Sequence, residues 1–106
     1  PCLQPASLFQ DSGRFDELAE NLWCLKDRRQ TEYVLSLSGE EAFSRLAAAA
    51  INSYKQLPQI WYQIQHKFRD EARPKGGLLR LREFCMKDSY SFDRDEDGLQ
   101  KSYDLH

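Results

Sequence analysis

Residues 59–89 read QIWYQIQHKFRDEARPKGGLLRLREFCMKDS, two alternating runs joined by Arg73, Pro74, Lys75, Gly76 and Gly77. From Gln59 to Glu71, period two puts Ile60, Tyr62, Ile64, His66 and Phe68 on one face. Trp61, Gln63, Gln65, Lys67, Arg69 and Glu71 fall on the other. The first face predicts a core side. The second is polar and aromatic throughout, too wet for an interior and too patterned for an idle surface, and it predicts the floor of a site. The glycines admit positive φ and Pro74 blocks ladder pairing, so residues 73–77 are the turn. A second strand is expected from Leu78 to about Ser89, with Arg80, Arg82, Phe84, Met86 and Asp88 on one side and Leu79, Leu81, Glu83, Cys85 and Lys87 on the other.

The same hairpin concentrates charge. Between Lys67 and Lys87 stand seven basic and three acidic residues, a net of plus four in a chain whose net charge is −2. A compact basic patch on an otherwise acidic protein suggests a bound phosphate.

Working outward, Pro1 to Gln10 reads as extended, because Pro1 and Pro5 restrict φ, and Asp11, Ser12 and Gly13 read as a loop. Phe15, Leu18, Leu22 and Leu25 recur at near-helical spacing before a polar turn at Asp27, Arg28 and Arg29. Glu32 to Leu37 has strand propensity through Tyr33, Val34 and Leu35. Ser38 followed by Glu41 has the form of a capping box and predicts a helix start. Phe43, Leu46, Ala47, Ala50 and Tyr54 then share one face, so that helix is expected to reach about Tyr54. Pro58 marks the next boundary. After Phe92 the chain turns acidic, and Asp93 is placed to cap a last helix. Strands and helices mixed along the chain in this way predict an α+β fold.

At 106 residues the chain is one domain at most. Its longest strongly apolar stretch, Leu46 to Ile51, is mostly alanine and far shorter than the roughly 20 residues that cross a bilayer, so no membrane span is expected. It opens without methionine, charged n-region or apolar h-region, and reads as cut from something longer with no secretory signal. Cys2, Cys24 and Cys85 are too scattered for a disulfide framework or a zinc site, which points to a reducing compartment. His66 and His106 have no partners at metal-ligand spacing, so no metal ligand is assigned.

FRDEARP, then GLLRLREF, then MKDSYSFD resembles motif 2 of the class II aminoacyl-tRNA synthetases in the form found in bacterial-type prolyl-tRNA synthetases. The resemblance extends upstream through QPASLFQDSGRF, LKDRR, SGEEAF and SYKQLPQIWYQIQHKFRDE, so it covers almost the whole chain. It implies part of the class II antiparallel sheet with flanking helices and the motif 2 hairpin at its centre. Residues 1–106 would run from the end of motif 1 through motif 2. Motif 3, the editing insertion and the anticodon-binding domain have no counterpart here. The implied reaction is ATP-dependent activation of L-proline to prolyl-adenylate and transfer to tRNA(Pro), with Mg2+ entering on the ATP and no structural metal. A homodimer in the cytoplasm, or in an organellar matrix, is also implied.

Roles carry over residue by residue. Arg69 would bind the α-phosphate and the attacking carboxylate, its planar fork suiting both and stabilising the charge that develops. Glu71 would hold the adenine amino group, Phe84 would stack on the adenine, and Arg82 would reach the nucleotide. Ser38 and Glu40 fall where the family has its Thr-x-Glu amino-acid loop, and Glu40 would accept from proline's secondary ammonium. Met86 and Asp88 would line the proline pocket. Arg73, Lys75 and Arg80 are candidates for the tRNA acceptor end, since loop cations neutralise backbone phosphates without reading sequence.

The chain departs from the family at Leu37, Ser38 and Gly39, where Pro-Thr-His or Pro-Thr-Asn is usual. The loss of a methyl at Ser38 costs about 1 kcal/mol in a tight pocket. Leu81 stands where glycine is usual, and residues 74–77 replace a more common arginine and phenylalanine. The altered amino-acid loop favours one alternative, a synthetase-like paralogue without aminoacylation activity. A small RNA-binding module, with Trp61 and Tyr62 as stacking surfaces, is another.

Overall fold

The computed structural model describes residues 1–106 and has the expected α+β architecture. Two ten-residue strands dominate it: β4 (Gln59–Phe68) and β5 (Glu83–Phe92), an antiparallel pair in register from Gln59↔Phe92 to Phe68↔Glu83. Before them come β1 (Leu3–Pro5), α1 (Ser7–Asp11), α2 (Phe15–Leu18), β2 (Cys24–Lys26), β3 (Glu32–Leu35) and α3 (Glu40–Ala50). After them comes α4 (Glu96–Leu105).

A small antiparallel sheet of order β1-β3-β2 carries the apolar core. Val34 at the centre of β3 packs with Ala6, Phe9, Leu22 and Leu37, while Leu8, Phe15 and Leu18 close the rim. Phe9 and Val34 are fully enclosed, and each such burial contributes about 1.5–3 kcal/mol. The extended reading of Pro1 to Gln10 holds only through Pro5. Ala6 N–H donates to the Glu32 carbonyl, and the chain then turns into α1, which drives Phe9 into the core. The helical spacing from Phe15 to Leu25 is likewise overridden. Only Phe15–Leu18 is α-helical, a 3-10 turn follows at Ala19–Asn21, and Cys24–Lys26 pairs with the free edge of β3.

The Ser38–Glu41 capping box does not form. Gly39 is the N-cap of α3 and has no side chain to accept from the first-turn amides; its own N–H goes to Tyr90 Oη, and Glu41 pairs with Arg14 at 2.7 Å. The helix stops at Ala50 and not near Tyr54. A capping box forms instead at Ser53 and Gln56, around the 3-10 turn Tyr54–Gln56. Asp95, not Asp93, caps α4 by accepting from Gly98 N–H at 2.8 Å, while Asp93 accepts from Ser102 Oγ at 2.7 Å.

The hairpin corrects two expectations. β5 begins at Glu83, not Leu78, because Gly76 and Gly77 both take positive φ and residues 69–82 form a loop with a single bridge, Lys75↔Arg80. The predicted core face is also the open one: Tyr62 and Ile64 are each 67% exposed, while Lys67 on the polar face is 0% exposed. The cause lies in what packs where. Phe43 of α3 stacks on Tyr90 with ring centroids 4.5 Å apart and meets Trp61 at 6.3 Å, so the helix covers the polar side.

Candidate active site

Register decides which side chains meet on the covered face. Lys67 lies opposite Phe84, Gln65 opposite Met86, Gln63 opposite Asp88, and Trp61 opposite Tyr90. These eight point the same way because partners across an antiparallel pair share a face. At the neck of the hairpin, Arg69 N–H donates to the Arg82 carbonyl at 2.9 Å and Glu71 N–H to the Arg69 carbonyl at 2.8 Å. Pairing stops there, yet the turn still aims both side chains inward.

An open cleft of about 940 Å³ results. It is lined by Ser38 and Glu40 from the loop entering α3, by Arg69, Glu71, Arg80 and Phe84 from the hairpin, and by Arg14 and Asn21 from the N-terminal segment. The Arg69 guanidinium sits over the Phe84 ring at 5.1 Å from its centroid, a cation–π contact that fixes the fork beside an aromatic face. Six of the residues picked out by sequence therefore converge. Arg80, expected on the site-facing side of the second strand and a candidate for the tRNA acceptor end, lines the cleft from the loop, where it bridges to Lys75.

Others do not line the cleft. Arg82 is exposed, and its Nε donates to the Glu71 carbonyl at 3.1 Å, bracing the neck of the hairpin. Arg73 and Lys75 are exposed on the loop. Met86 and Asp88 lie further along the same face, with Asp88 beneath Gly39 at the start of α3.

Asp88, expected to line the proline pocket, is the centre of a network that sequence reading did not assign: Gln63, Gln65 and Lys67 were placed on the polar face of the first strand without individual roles, and Tyr90 lay beyond the expected end of the second. Its Oδ2 accepts from Tyr90 Oη at 2.5 Å and Gln63 Nε2 at 3.1 Å, and pairs with Lys67 Nζ at 3.3 Å. Lys67 also donates to Gln65 Oε1 at 3.2 Å and to Ser36 Oγ at 3.4 Å. Burial pushes the Asp88 carboxyl upward, but the bonds from Tyr90 and Gln63 and the charge of Lys67 outweigh it and leave the carboxyl below its ordinary 3.8. Burial, the bond to Asp88 and the charges of Glu40 and Asp88 raise the Tyr90 phenol well above its ordinary 10.0, with the Gly39 N–H pulling the other way. Tyr90 is therefore a neutral donor. The clue in sequence was a lysine alternating into a site-facing strand, with a carboxylate on the same face of the partner strand four residues out of register.

The family described as tRNA synthetase class II core domain (G, H, P, S and T) matches residues 23–106. The chain belongs to this class II synthetase core family. Among relatives, the proline–tRNA ligase of Acidobacterium capsulatum is 56% identical over 106 residues, all of this chain and 18% of that protein. The proline–tRNA ligase of Thermodesulfovibrio yellowstonii is also 56% identical over 106 residues, 19% of its length. The chain thus spans about a fifth of the relatives it matches. Among solved structures, Giardia lamblia prolyl-tRNA synthetase in complex with prolyl-adenylate superposes with a TM-score of 0.83 at 22% identity, over 99% of this chain and 22% of that one. The RNA binding domain of threonyl-tRNA synthetase from Cryptosporidium parvum gives 0.84 at 24% identity, over 99% and 27%. At those identities the likeness is one of fold, and it matches the class II core observed here.

Proposed function

We propose that this chain carries the motif 2 half of the activating site of a proline–tRNA ligase. It would run from the end of motif 1 through motif 2. The whole protein would join L-proline to ATP and pass the prolyl group to tRNA(Pro). The observation that carries the reading is the convergence of two separate segments, the Ser38–Glu40 loop and the Arg69–Phe84 hairpin, on one cleft. The identity to proline–tRNA ligases over the full chain supports the choice of amino acid.

In the forward step a carboxylate oxygen of proline attacks the α-phosphorus of ATP and pyrophosphate leaves, giving prolyl-adenylate. Arg69 spans carboxylate and α-phosphate, which brings two anions together and stabilises the charge on the equatorial oxygens. Phe84 offers its ring to the adenine, Glu71 accepts from the adenine amino group, and Glu40 accepts from the proline ammonium. Mg2+ arrives on the phosphates of ATP as part of the substrate. Arg73 and Lys75, exposed on the loop, meet the tRNA acceptor end; Arg80, inside the cleft, is nearer the nucleotide. The protein would act as a homodimer in the cytoplasm or an organellar matrix.

A second reading rests on one feature, the Leu37-Ser38-Gly39 sequence of the amino-acid loop: a synthetase-like paralogue that binds nucleotide and does not aminoacylate. Proline-dependent ATP–pyrophosphate exchange by the intact protein separates the two. Exchange that requires proline and is lost in Arg69→Ala supports the ligase. Nucleotide binding without exchange for any amino acid supports the paralogue.

A further inference from the structure

Gly39 is a glycine for lack of room and not for its backbone angles, since φ is −115°, open to any residue. A Cβ built there falls 2.6 Å from Gln63 Nε2, 2.6 Å from Tyr90 Oη and 2.8 Å from Asp88 Oδ2. Three polar atoms of the hairpin floor press on this one position, and they do so because its N–H is bound: Gly39 N–H donates to Tyr90 Oη at 2.9 Å. The phenol hydrogen then goes to Asp88.

On its other side the loop is held through Ser36, whose hydroxyl accepts from Lys67 and donates to the Ser38 carbonyl at 2.9 Å. Lys67 and Asp88 pair with each other, so a single buried ion pair grips residues 36–39 at both ends. The next residue is Glu40, which faces the cleft.

We infer that Tyr90 is a positioning residue: through the Gly39 amide it sets the placement of Ser38 and Glu40, and Gly39 is matched to it. This inference deepens the proposed function and rests on it for its kinetic consequence. Tyr90 is not among the residues that line the cleft. It acts by holding the loop that does, so its loss weakens amino-acid capture and spares the ATP side at Arg69 and Phe84.

Tyr90→Phe is the selective variant, because the ring keeps its stacking on Phe43 and only the hydroxyl goes. In the intact protein, pyrophosphate exchange is expected to show a rise of about five- to tenfold in KM for proline, the effect of one lost partly buried hydrogen bond, with KM for ATP unchanged. Gly39→Ala should raise the same KM by at least as much. The double variant should cost less than the product of the two, because removing the hydroxyl removes one of the atoms a Cβ would strike.

Amide hydrogen exchange measured by mass spectrometry on the peptide spanning residues 36–42 gives a readout independent of activity. Faster exchange there in Tyr90→Phe, with the rest of the protein unchanged, is the expected result. An unchanged proline KM together with unchanged exchange at Gly39 overturns the inference, as does an equal loss for proline and ATP. If the intact protein activates no amino acid, the ligase reading falls while exchange at Gly39 still decides the anchor. If Tyr90→Phe does not fold, Gly39→Ala tests the contact from the loop side by the same peptide, and normal exchange there overturns it.

Discussion

Lys67→Met removes a charge from the best-enclosed polar site in the molecule while nearly keeping its volume. Lys67 is 0% exposed, and its Nζ contacts Asp88 Oδ2, Gln65 Oε1 and Ser36 Oγ at 3.3, 3.2 and 3.4 Å. Asp88 is only 12% exposed and its Oδ1 already has no partner, so the carboxylate left behind cannot be rehydrated without opening the α3 contact. Breaking one side of such a pair costs about 3–5 kcal/mol. Two bonds to Asp88 remain, from Tyr90 and Gln63, which places the expected loss near the lower end, about 3 kcal/mol. Urea unfolding followed by tryptophan fluorescence is a suitable assay, because Trp61 sits on the same face between Phe43 and Phe92. Adding Asp88→Leu should recover most of the loss, since no unpaired charge then remains. A Lys67→Met protein within about 0.5 kcal/mol of the parent, on the order of an ordinary surface change, would show that the buried pair does not hold this face together.

Arg69→Lys replaces a planar fork with a point charge and should lower proline-dependent pyrophosphate exchange by about 10²–10³ in kcat, checked by steady-state kinetics. Arg73→Ala with Lys75→Ala should leave exchange intact while weakening tRNA charging and flattening its salt dependence, measured by aminoacylation at several ionic strengths. Phe9→Ala empties the centre of the N-terminal core and should cost about 3–5 kcal/mol in urea unfolding. Stability should be flat across neutral pH and fall at both extremes. The depressed Asp88 carboxyl contributes fully above its unfolded 3.8 and loses that contribution as pH drops through its lower folded value. The raised Tyr90 phenol contributes fully below its unfolded 10.0 and loses it as pH climbs toward its higher folded value, so Tyr90→Phe should blunt the alkaline fall in melting temperature.

The hairpin was legible because period-two alternation survives any packing: Gln59 to Phe68 form β4, and the faces divide as read. Alternation says which residues share a face and not which face is covered. Ile60, Tyr62 and Ile64 are the apolar set, yet α3 docks on the other side through Phe43 and the Tyr90–Gly39 bond, and the apolar set stays open within residues 1–106. The Asp88 network was hidden for a related reason. Gln63 and Lys67 are brought to Asp88 by register, and Ser36 to Lys67 by the return of the loop before α3, neither of which local sequence specifies. Ser38 lost its capping role to the same loop geometry, and Cys24–Lys26 left a helical pattern because β3 offered it a partner. Arg69, Glu71, Phe84, Ser38 and Glu40 were picked out as candidates by motif, and the structure adds that two segments of chain bring them to one cleft.

Equilibrium binding of a non-hydrolysable prolyl-adenylate analogue, prolyl sulfamoyl-adenosine, to the intact protein tests the convergence of loop and hairpin on a single intermediate. Binding at least about 10²-fold tighter than for proline or ATP alone is expected, lost in Arg69→Ala and weakened in Tyr90→Phe. Affinity no better than that of ATP, or equal affinity for the alanyl analogue, would contradict that convergence.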